Sequence, residues 1–321
     1  MFGKGRENKR AELSLSTQKY IGICPMFIEY VNPSVEDYAD IWERRLDQGA
    51  VQYMGTAQDP DGGGDVRTMT VRFICAPDTS VVPDIKTKHF TLNFILENRL
   101  VRNNDKTKIK VIDKFGRTAW LFIDDVQKHI VPLRNGFPIR LDAVYRPATA
   151  GEDRLTEFIK AFMNIPDIDI WDRERRIFVP DPRMKEEDCE CRIDSLTKII
   201  NNGDVSEIRD AVLSRKDNKV KVCLGVRHMP DGTVRQTIFK QCFVRGDSTN
   251  HMVFKKAIDN YETYMRSNGR PLTDEYSTEH AHVYSAEASQ ASEELVIYPK
   301  QAEAQADNMS GHESAQQELP F

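Results

Sequence analysis

The chain has 321 residues, with 45 Lys and Arg against 50 Asp and Glu, and a formal net charge of -5. Residues 271–321 hold ten acids and one base, a charge of -9, so residues 1–270 carry +4. A weakly basic body followed by an acidic segment indicates a polyanion-binding domain with an interaction tail.

Composition excludes several classes of protein. No apolar run approaches the roughly 20 residues of a membrane span, and no apolar segment typical of a signal peptide follows the start, so a cytoplasmic location is expected. Six cysteines scattered over the chain fit reduced thiols better than a disulfide framework. A body of about 270 residues is long enough to bury one large core or two modest ones.

The first part of the chain predicts an arm, a strand and a helix. Residues 1–18 are polar and basic, which is typical of a flexible arm that is either frayed or in contact with phosphates. Residues 20–31 predict a strand that Asn32 and Pro33 end. Ser34 with Asp37 three residues later forms a capping box, so a helix is expected to begin there.

The next part predicts further strands. Residues 66–74, with Arg67 and Arg72, and residues 89–96 both have strand character. Residues 107–113 and 117–123 are joined by Lys114-Phe115-Gly116, which predicts a hairpin.

Helical patterns then interrupt the strands. Helices are predicted at 152–165, 193–200 and 205–213, within an insert of about residues 148–216. Strands return at 219–228 and 233–244 around the turn Met229-Pro230-Asp231-Gly232, and a helix over 249–265 follows, with Val253, Ile258, Tyr261 and Tyr264 on its apolar face. Residues 271–321 are too polar to bury much surface and are expected to be disordered.

This order of elements predicts an α+β fold. Residues 19–270 are expected to form an OB-like antiparallel β-barrel with helical insertions, since that barrel places a helix between its third and fourth strands. The acidic tail from residue 271 lies outside the predicted body.

Known catalytic and metal-binding motifs are missing from the sequence. Cys189 and Cys191 lack the spacing of structural zinc sites, and residues 59–65 lack the closing Glu of a calcium loop. No phosphate-binding Gly-rich loop, nucleophile elbow or dinucleotide fingerprint occurs. We therefore expect no catalytic residues, no metal and no cofactor.

Basic and aromatic residues on the predicted hairpins point to nucleic acid instead. Cations along a groove neutralise phosphates, and flat side chains stack on bases. Lys108, Lys110, Lys114 and Arg117 are the predicted phosphate contacts, and Phe115 and Trp120 the predicted stacking residues. Further cations predicted to contact DNA are Arg67, Arg72, Lys219, Lys221, Arg235 and Lys240. The competing interpretation is that these lysines form a solvated strand face and that the aromatics belong to the core.

The segment Gln317-Glu318-Leu319-Pro320-Phe321 resembles the tip of bacterial single-stranded DNA-binding proteins, which end in acids followed by Ile or Leu, Pro and Phe. In that family the tip docks on replication and repair proteins. The resemblance implies that Glu318, Leu319, Pro320 and Phe321 bind such a partner, with Pro320 and Phe321 in an apolar pocket.

Two segments of the body carry a second resemblance: residues 110–120 (KVIDKFGRTAW) and residues 146–155 (RPATAGEDRL), the latter followed by Phe158. They look like single-stranded DNA-binding proteins of large tailed bacteriophages, over about the middle third of the chain. This resemblance implies a phage replication protein acting in the cytoplasm of the infected host. Because the body is far longer than a bacterial domain, the tetrameric state of that family is not carried over, and the oligomeric state stays open.

The leading hypothesis is a non-catalytic single-stranded DNA-binding protein of phage DNA replication, recombination or repair. One alternative is a structural or assembly protein of the virion whose acidic tail maintains solubility. The other is a metal-dependent nuclease or recombination enzyme built on Asp124, Asp125 and Asp142.

Overall fold

An antiparallel sheet organises the chain. The computed structural model describes residues 19–42, 51–113, 115–123, 146–166, 169–174, 177–183, 185, 196–279 and 282–284. The strands of this part are, in chain order, β1 (Lys19–Val31), β2 (Met54–Gln58), β3 (Asp65–Pro77), β4 (Phe90–Leu100), β5 (Lys108–Ile112), β6 (Thr118–Phe122), β7 (Arg146–Pro147), β8 (Thr149–Ala150), β9 (Asp169–Asp172), β10 (Ile177–Pro180), β11 (Val220–His228), β12 (Val234–Ile238), β13 (Val244–Arg245), β14 (Asp274–Tyr276) and β15 (His282–Tyr284). The helices are α1 (Val35–Trp42), α2 (Glu152–Phe162), α3 (Leu196–Asn202), α4 (Ser206–Leu213) and α5 (Met252–Ser267).

The main sheet runs in the order β12-β11-β1-β3-β4-β8. β2 lies beside β3, β13 and β14 beside β11, and β15 beside β1, while β6-β5-β7 and β10-β9 form two small sheets. The main sheet curls into a half-barrel, and with few helices the whole is an α+β arrangement compatible with an OB-like fold. The coarse fold class predicted from the sequence is therefore confirmed.

The largest core cluster lies between this sheet and the helices α2, α3 and α4. Alternate residues of β3 and β4, among them Phe73 and Phe94, are buried there because successive strand side chains point to opposite faces. Phe158 of α2 meets both rings, with centroids 4.8 Å from Phe73 and 5.0 Å from Phe94. Contacts between rings at such separations add to the hydrophobic stabilisation.

Local signals predicted several elements correctly. In the capping box, the Ser34 amide donates to Asp37 Oδ2 at 2.7 Å and the Asp37 amide donates to Ser34 Oγ at 3.1 Å. The predicted hairpin is present as β5 and β6, and in the predicted helix α2 the apolar residues Leu155, Phe158, Ile159 and Phe162 are buried. Among the helices of the described part of the chain, none is long and apolar enough to cross a membrane.

Three predicted elements need correction. The insert contains the hairpin β9–β10 as well as α2, α3 and α4, so it is not wholly helical. The strand predicted over 233–244 ends at Ile238, because Phe239 and Cys242 turn into a second apolar cluster. In α5 the buried residues are Phe254 and Ile258, four apart on one face, whereas Val253 is 45% exposed.

The boundary of the body also differs from the prediction. The ladder between β1 and β11 ends at Gly22 and Leu224. Beyond that point β14 pairs with Gly225–Arg227 of β11, and β15 pairs with Lys19–Ile21 of β1. The sheet thus extends past residue 270 to Tyr284, because main-chain pairing and the packing of Tyr276 order a segment with few apolar side chains. Residues 1–18 and 285–321, which include the predicted arm and most of the acidic tail, lie outside the described residues.

Candidate nucleic-acid interface

The β5–β6 hairpin separates its side chains onto two faces. Ile109, Val111 and Leu121 are buried together on one of them. The register pairs Lys108 with Phe122, Lys110 with Trp120 and Ile112 with Thr118, so cations and aromatic rings share the opposite face. We call the residues Lys108, Lys110, Thr118, Trp120 and Phe122 the hairpin face.

Each lysine of the hairpin face lies over the ring of its cross-strand neighbour. Lys108 Nζ is 5.1 Å from the Phe122 centroid, and Lys110 Nζ is 5.5 Å from the Trp120 centroid. A cation within about 6 Å of a ring is attracted to the ring's negative face. Lys108, Trp120 and Phe122 are partly exposed, so this face is accessible from solvent.

Lys110 is engaged inside the protein. Its Nζ atom lies 2.8 Å from Asp153 Oδ2, and the two side chains are only 14% and 11% exposed. Burial opposes ionisation of Asp153, but the charge and hydrogen bond of Lys110 outweigh it and lower the pKa of that carboxyl. Lys110 thus forms an ion pair that joins the hairpin to α2, and its contact with a phosphate stays a prediction.

The hairpin turn is stabilised internally as well. Asp113 Oδ1 accepts hydrogen bonds from the amides of Phe115 and Arg117, both at 2.9 Å, and Arg117 Nε donates to Asp113 Oδ2 at 2.6 Å. Phe115 is 4% exposed, with the Arg117 guanidinium 4.6 Å from its ring centroid. A ring so deeply buried offers no face to a base, so Phe115 is a packing residue instead of a stacking one, and Arg117 is an ion-pair partner. Lys114 lies outside the described residues.

The segment 146–155 attaches α2 to the sheet. Glu152 accepts hydrogen bonds from the Thr149 amide and from Arg146 Nη1, each at 3.0 Å, and it is 1% exposed. Gly151 has a φ of +85°, and an added Cβ would lie 1.9 Å from the carbonyl oxygen of Ile95. Residues 110–120 and 146–155 therefore supply contacts that hold the hairpin, α2 and β4 together.

Three further predicted cations have partners. Lys219 Nζ lies 2.5 Å from Asp78 Oδ2 and 4.9 Å from the Phe27 ring centroid. Lys221 Nζ donates to the Ser248 carbonyl oxygen. The Arg72 guanidinium lies 5.9 Å and 5.4 Å from the ring centroids of Tyr38 and Tyr53, and its Nε donates to Asn93 Oδ1 at 2.8 Å.

The remaining predicted cations are exposed but not gathered on one surface. Arg67 lies on the β2–β3 ribbon, beyond the end of β1 at Val31. Arg235 lies opposite Arg227, beyond the end of the β1–β11 ladder at Leu224. These two predicted contacts therefore lie toward opposite ends of the sheet.

Helix α2 nevertheless joins the two basic hairpins of the prediction. Asp153 binds Lys110 of the first hairpin, and Arg154 Nη1 donates at 3.0 Å to the carbonyl oxygen of Gln241, just after the second. The exposed Lys240 precedes Gln241. Lys108, Trp120 and Lys240 are thus the predicted site residues that the structure leaves accessible around the first turn of α2.

The sequence reasoning missed Phe122 and the cations Arg102 and Lys106. Phe122 is the direct cross-strand partner of Lys108, a pairing that the predicted hairpin register already contained. Arg102 and Lys106 lie in the connection that leads into β5, and both are exposed. Their position just before the basic strand β5 is the sequence feature that could have indicated these two cations.

The residues that the structure covers bear on metal binding and on cysteine reactivity. They contain no group of three or more His, Cys, Asp or Glu side chains that could hold a metal ion. Burial raises the pKa of the Cys223 and Cys242 thiols to about 12, which disfavours the thiolate. Asp124, Asp125, Asp142, Cys189, Cys191 and the tip residues Glu318, Leu319, Pro320 and Phe321 lie outside the described residues.

No protein-family model, curated protein or solved structure matches the chain.

Proposed function

We propose that the chain is a non-catalytic single-stranded DNA-binding protein with an OB-like body, acting in phage DNA replication, recombination or repair in the cytoplasm of the infected host. The observation that carries this proposal is the register of the β5–β6 hairpin, which alternates lysines with aromatic rings on one partly exposed face. A binding surface for single strands needs both groups side by side.

The spacing of the hairpin face suits two neighbouring nucleotides. Trp120 and Phe122 are two residues apart on one strand face, which separates them by about 7 Å. A base that stacks on either ring brings its phosphate within reach of Lys108, and stacking contributes about 1–3 kcal/mol per base. Lys240, near the first turn of α2, extends the positive surface.

The charge distribution agrees with this assignment. Residues 1–270 carry +4, and Asp274, Glu275 and Glu279 reduce this to +1 for residues 1–284, although the whole chain carries -5. Non-specific binding to a polyanion depends on local positive charge instead of the total, because screening limits electrostatic attraction to about 8–10 Å at physiological salt.

The tail supplies the second half of the proposal. Glu318, Leu319, Pro320 and Phe321 bind replication or repair proteins, as their resemblance to the bacterial tip implies. An apolar pair beside an acid is a short linear motif of the type that docks in a hydrophobic pocket with a basic rim.

Fluorescence anisotropy with labelled oligo(dT) across a salt series tests the DNA-binding half of the proposal. We expect affinity to fall as salt rises, with a slope of about -0.7 per phosphate neutralised, and single strands to be preferred over duplex. Trp120→Leu should weaken binding about 5- to 150-fold, the equivalent of one lost stacking contact. Lys108→Gln should reduce the slope by about 0.7.

Lys198→Gln is the matched control, since it removes the same charge at an exposed position on α3, away from the hairpin. Thermal unfolding of every variant separates binding defects from folding defects. Binding that is absent at low salt, or equal losses for Lys108→Gln and Lys198→Gln, would refute the proposed interface.

A further inference from the structure

A ribbon of two strands projects from the sheet without a core of its own. Residues 54–67 comprise β2, the connecting loop and the start of β3, and none of their side chains is buried. The loop closes through the Asp59 amide, which donates to the Gly64 carbonyl oxygen at 2.8 Å, and Gly62 and Gly64 adopt φ values of +83° and +97°. Isolated two-stranded ribbons are marginally stable in water, so the ribbon depends on contacts at its base and its tip.

The tip of the ribbon contacts the connection between β4 and β5, residues 102–107, which we call the basic turn. Lys106 Nζ lies 2.8 Å from Asp61 Oδ1, and the two side chains are 53% and 29% exposed. Backbone bonds shape the basic turn, from the Lys106 amide to the Asn103 carbonyl oxygen at 2.9 Å and from the Asn103 amide to the Lys108 carbonyl oxygen at 3.1 Å.

The cations of the basic turn converge on the Asp61 carboxylate. The pKa of Asp61 is lowered, first by the hydrogen bond from Lys106 and further by the charges of Arg102 and Arg99. Arg99 is paired with Glu97. The acid within the turn, Asp105, is held there by Thr107, whose hydroxyl donates to Asp105 Oδ1 at 2.7 Å.

Asp61 is therefore an acid brought from a separate hairpin into a cluster of cations. Without Asp61, the charge is set by residues 102–108 themselves. They contain three cations, Arg102, Lys106 and Lys108, and one acid, Asp105, so the turn carries a net positive charge. The basic turn also runs directly into Lys108, the first residue of the hairpin face, so an anion bound there would continue the surface already proposed for DNA.

We propose that the basic turn is a phosphate-binding subsite for the strand that occupies the hairpin face, and that Asp61 fills it in the free protein as a carboxylate in place of the phosphate. This inference rests on the proposed function. An exposed ion pair contributes little net stability, so a backbone phosphate displaces Asp61 at small cost. Lys106 then donates to the phosphate, and Arg102 supplies the second charge.

The first experiment compares Asp61→Asn with Asp65→Asn, which removes the same charge from the same ribbon at an exposed position opposite Gln58 in the β2–β3 register. Asp61→Asn should raise the affinity for oligo(dT) about threefold at low salt and steepen the salt slope by about 0.7, because one more positive charge of the basic turn is then available to neutralise a phosphate and release its condensed counterion. Asp65→Asn should change both quantities by less than half as much.

A double variant identifies the partner. In the Lys106→Gln background, Asp61→Asn should lose its gain in affinity, since the carboxylate no longer competes for a cation. Equal effects of Asp61→Asn and Asp65→Asn, or a gain that survives Lys106→Gln, would overturn the inference and leave the hairpin face unaffected.

The second experiment does not depend on DNA. Tripolyphosphate is titrated into the full-length protein while the amide NMR signals of Lys106 and Gly62–Gly64 are followed. Asp61→Asn should shift these signals at about threefold lower tripolyphosphate concentration than Asp65→Asn does. If Asp61→Asn responds at the lower tripolyphosphate concentration but the protein does not bind oligo(dT), the proposed function is wrong and the subsite stands. Identical titrations of the two variants would contradict the subsite.

Discussion

At the scale of single residues, carboxylates decide which basic side chains remain accessible. Lys110 meets Asp153, Arg117 meets Asp113, and Lys219 meets Asp78, so three predicted phosphate contacts are neutralised inside the protein. The Lys110 and Lys219 partners lie 43 and 141 residues away in the sequence. A pattern of alternating lysines therefore marks a strand face but does not show which of its charges are free to bind DNA.

The Asp78 carboxylate gives a residue-scale prediction. It accepts hydrogen bonds from Lys219 Nζ at 2.5 Å and from Ser80 Oγ at 2.6 Å, and these lower its pKa. Because the folded-state pKa lies below the unfolded value of about 3.9, the stabilisation is present above that pH and is lost as the pH falls through the folded pKa. Asp78→Asn should cost about 1–3 kcal/mol at pH 7 and flatten the loss of stability below pH 4.

Urea unfolding at a series of pH values measures this effect. Asp217→Asn makes the same change at an exposed turn and should leave the free energy of unfolding nearly unaltered. An acid-induced loss in Asp78→Asn as large as that of the unaltered protein would show that another group is responsible.

At the scale of elements, β1 and β11 stop pairing with each other at Gly22 and Leu224, and the opening beyond that point explains why the sheet extends beyond residue 270. β14 and β15 fill the opening, and Gly225 allows the close approach, since an added Cβ would lie 2.2 Å from the carbonyl oxygen of Glu275. Arg227 donates two hydrogen bonds to the Asp274 carboxylate, at 2.6 Å and 2.9 Å. Tyr276 packs on the second apolar cluster. The start of the polar tail is thus part of the folded body.

Truncation tests the contribution of these two strands. A chain ending at Arg270 should lose about 2–3 kcal/mol of stability relative to one ending at Tyr284, because Tyr276 loses its packing and Arg227 its partner. The chain ending at Tyr284 should unfold at the same urea concentration as the full chain. Equal urea midpoints for the two truncated chains would mean that β14 and β15 contribute no stability to the sheet.

At the scale of the whole molecule, negative charge is concentrated near the C-terminus, since residues 285–321 carry -6 and residues 1–284 carry +1, and the proposed tasks are divided in the same way. The hairpin face and the basic turn belong to the body, and the motif with Leu319, Pro320 and Phe321 belongs to the tail. Binding to DNA and recruitment of partners should therefore be separable.

Replacing Leu319 and Phe321 together by Ser tests that separation. We expect oligo(dT) affinity at 150 mM salt to stay within about twofold, because no charge changes and the body is untouched. Retention of host replication and repair proteins in a pull-down should be abolished, since the apolar anchors of the motif are removed. Unchanged retention would show that the similarity to bacterial tips is accidental.

The sequence by itself determined the local structure. Period-two alternation specified the faces of the β5–β6 hairpin, Ser34 and Asp37 specified the start of α1, and 3.6-residue periodicity specified the buried stripe of α2. These features involve residues a few positions apart, where backbone geometry alone relates one side chain to the next.

Only the tertiary structure decided which cations are paired, where the body ends and what reaches the basic turn. Asp153, Asp61 and β14 come from distant parts of the chain, and their partners are chosen by how the sheet curls and how α2 docks. An ion pair or an added strand forms where packing brings two segments together, and no periodicity within either segment encodes that meeting. The candidate surface therefore changed from the twelve predicted residues to a smaller set around Lys108, Trp120 and the basic turn.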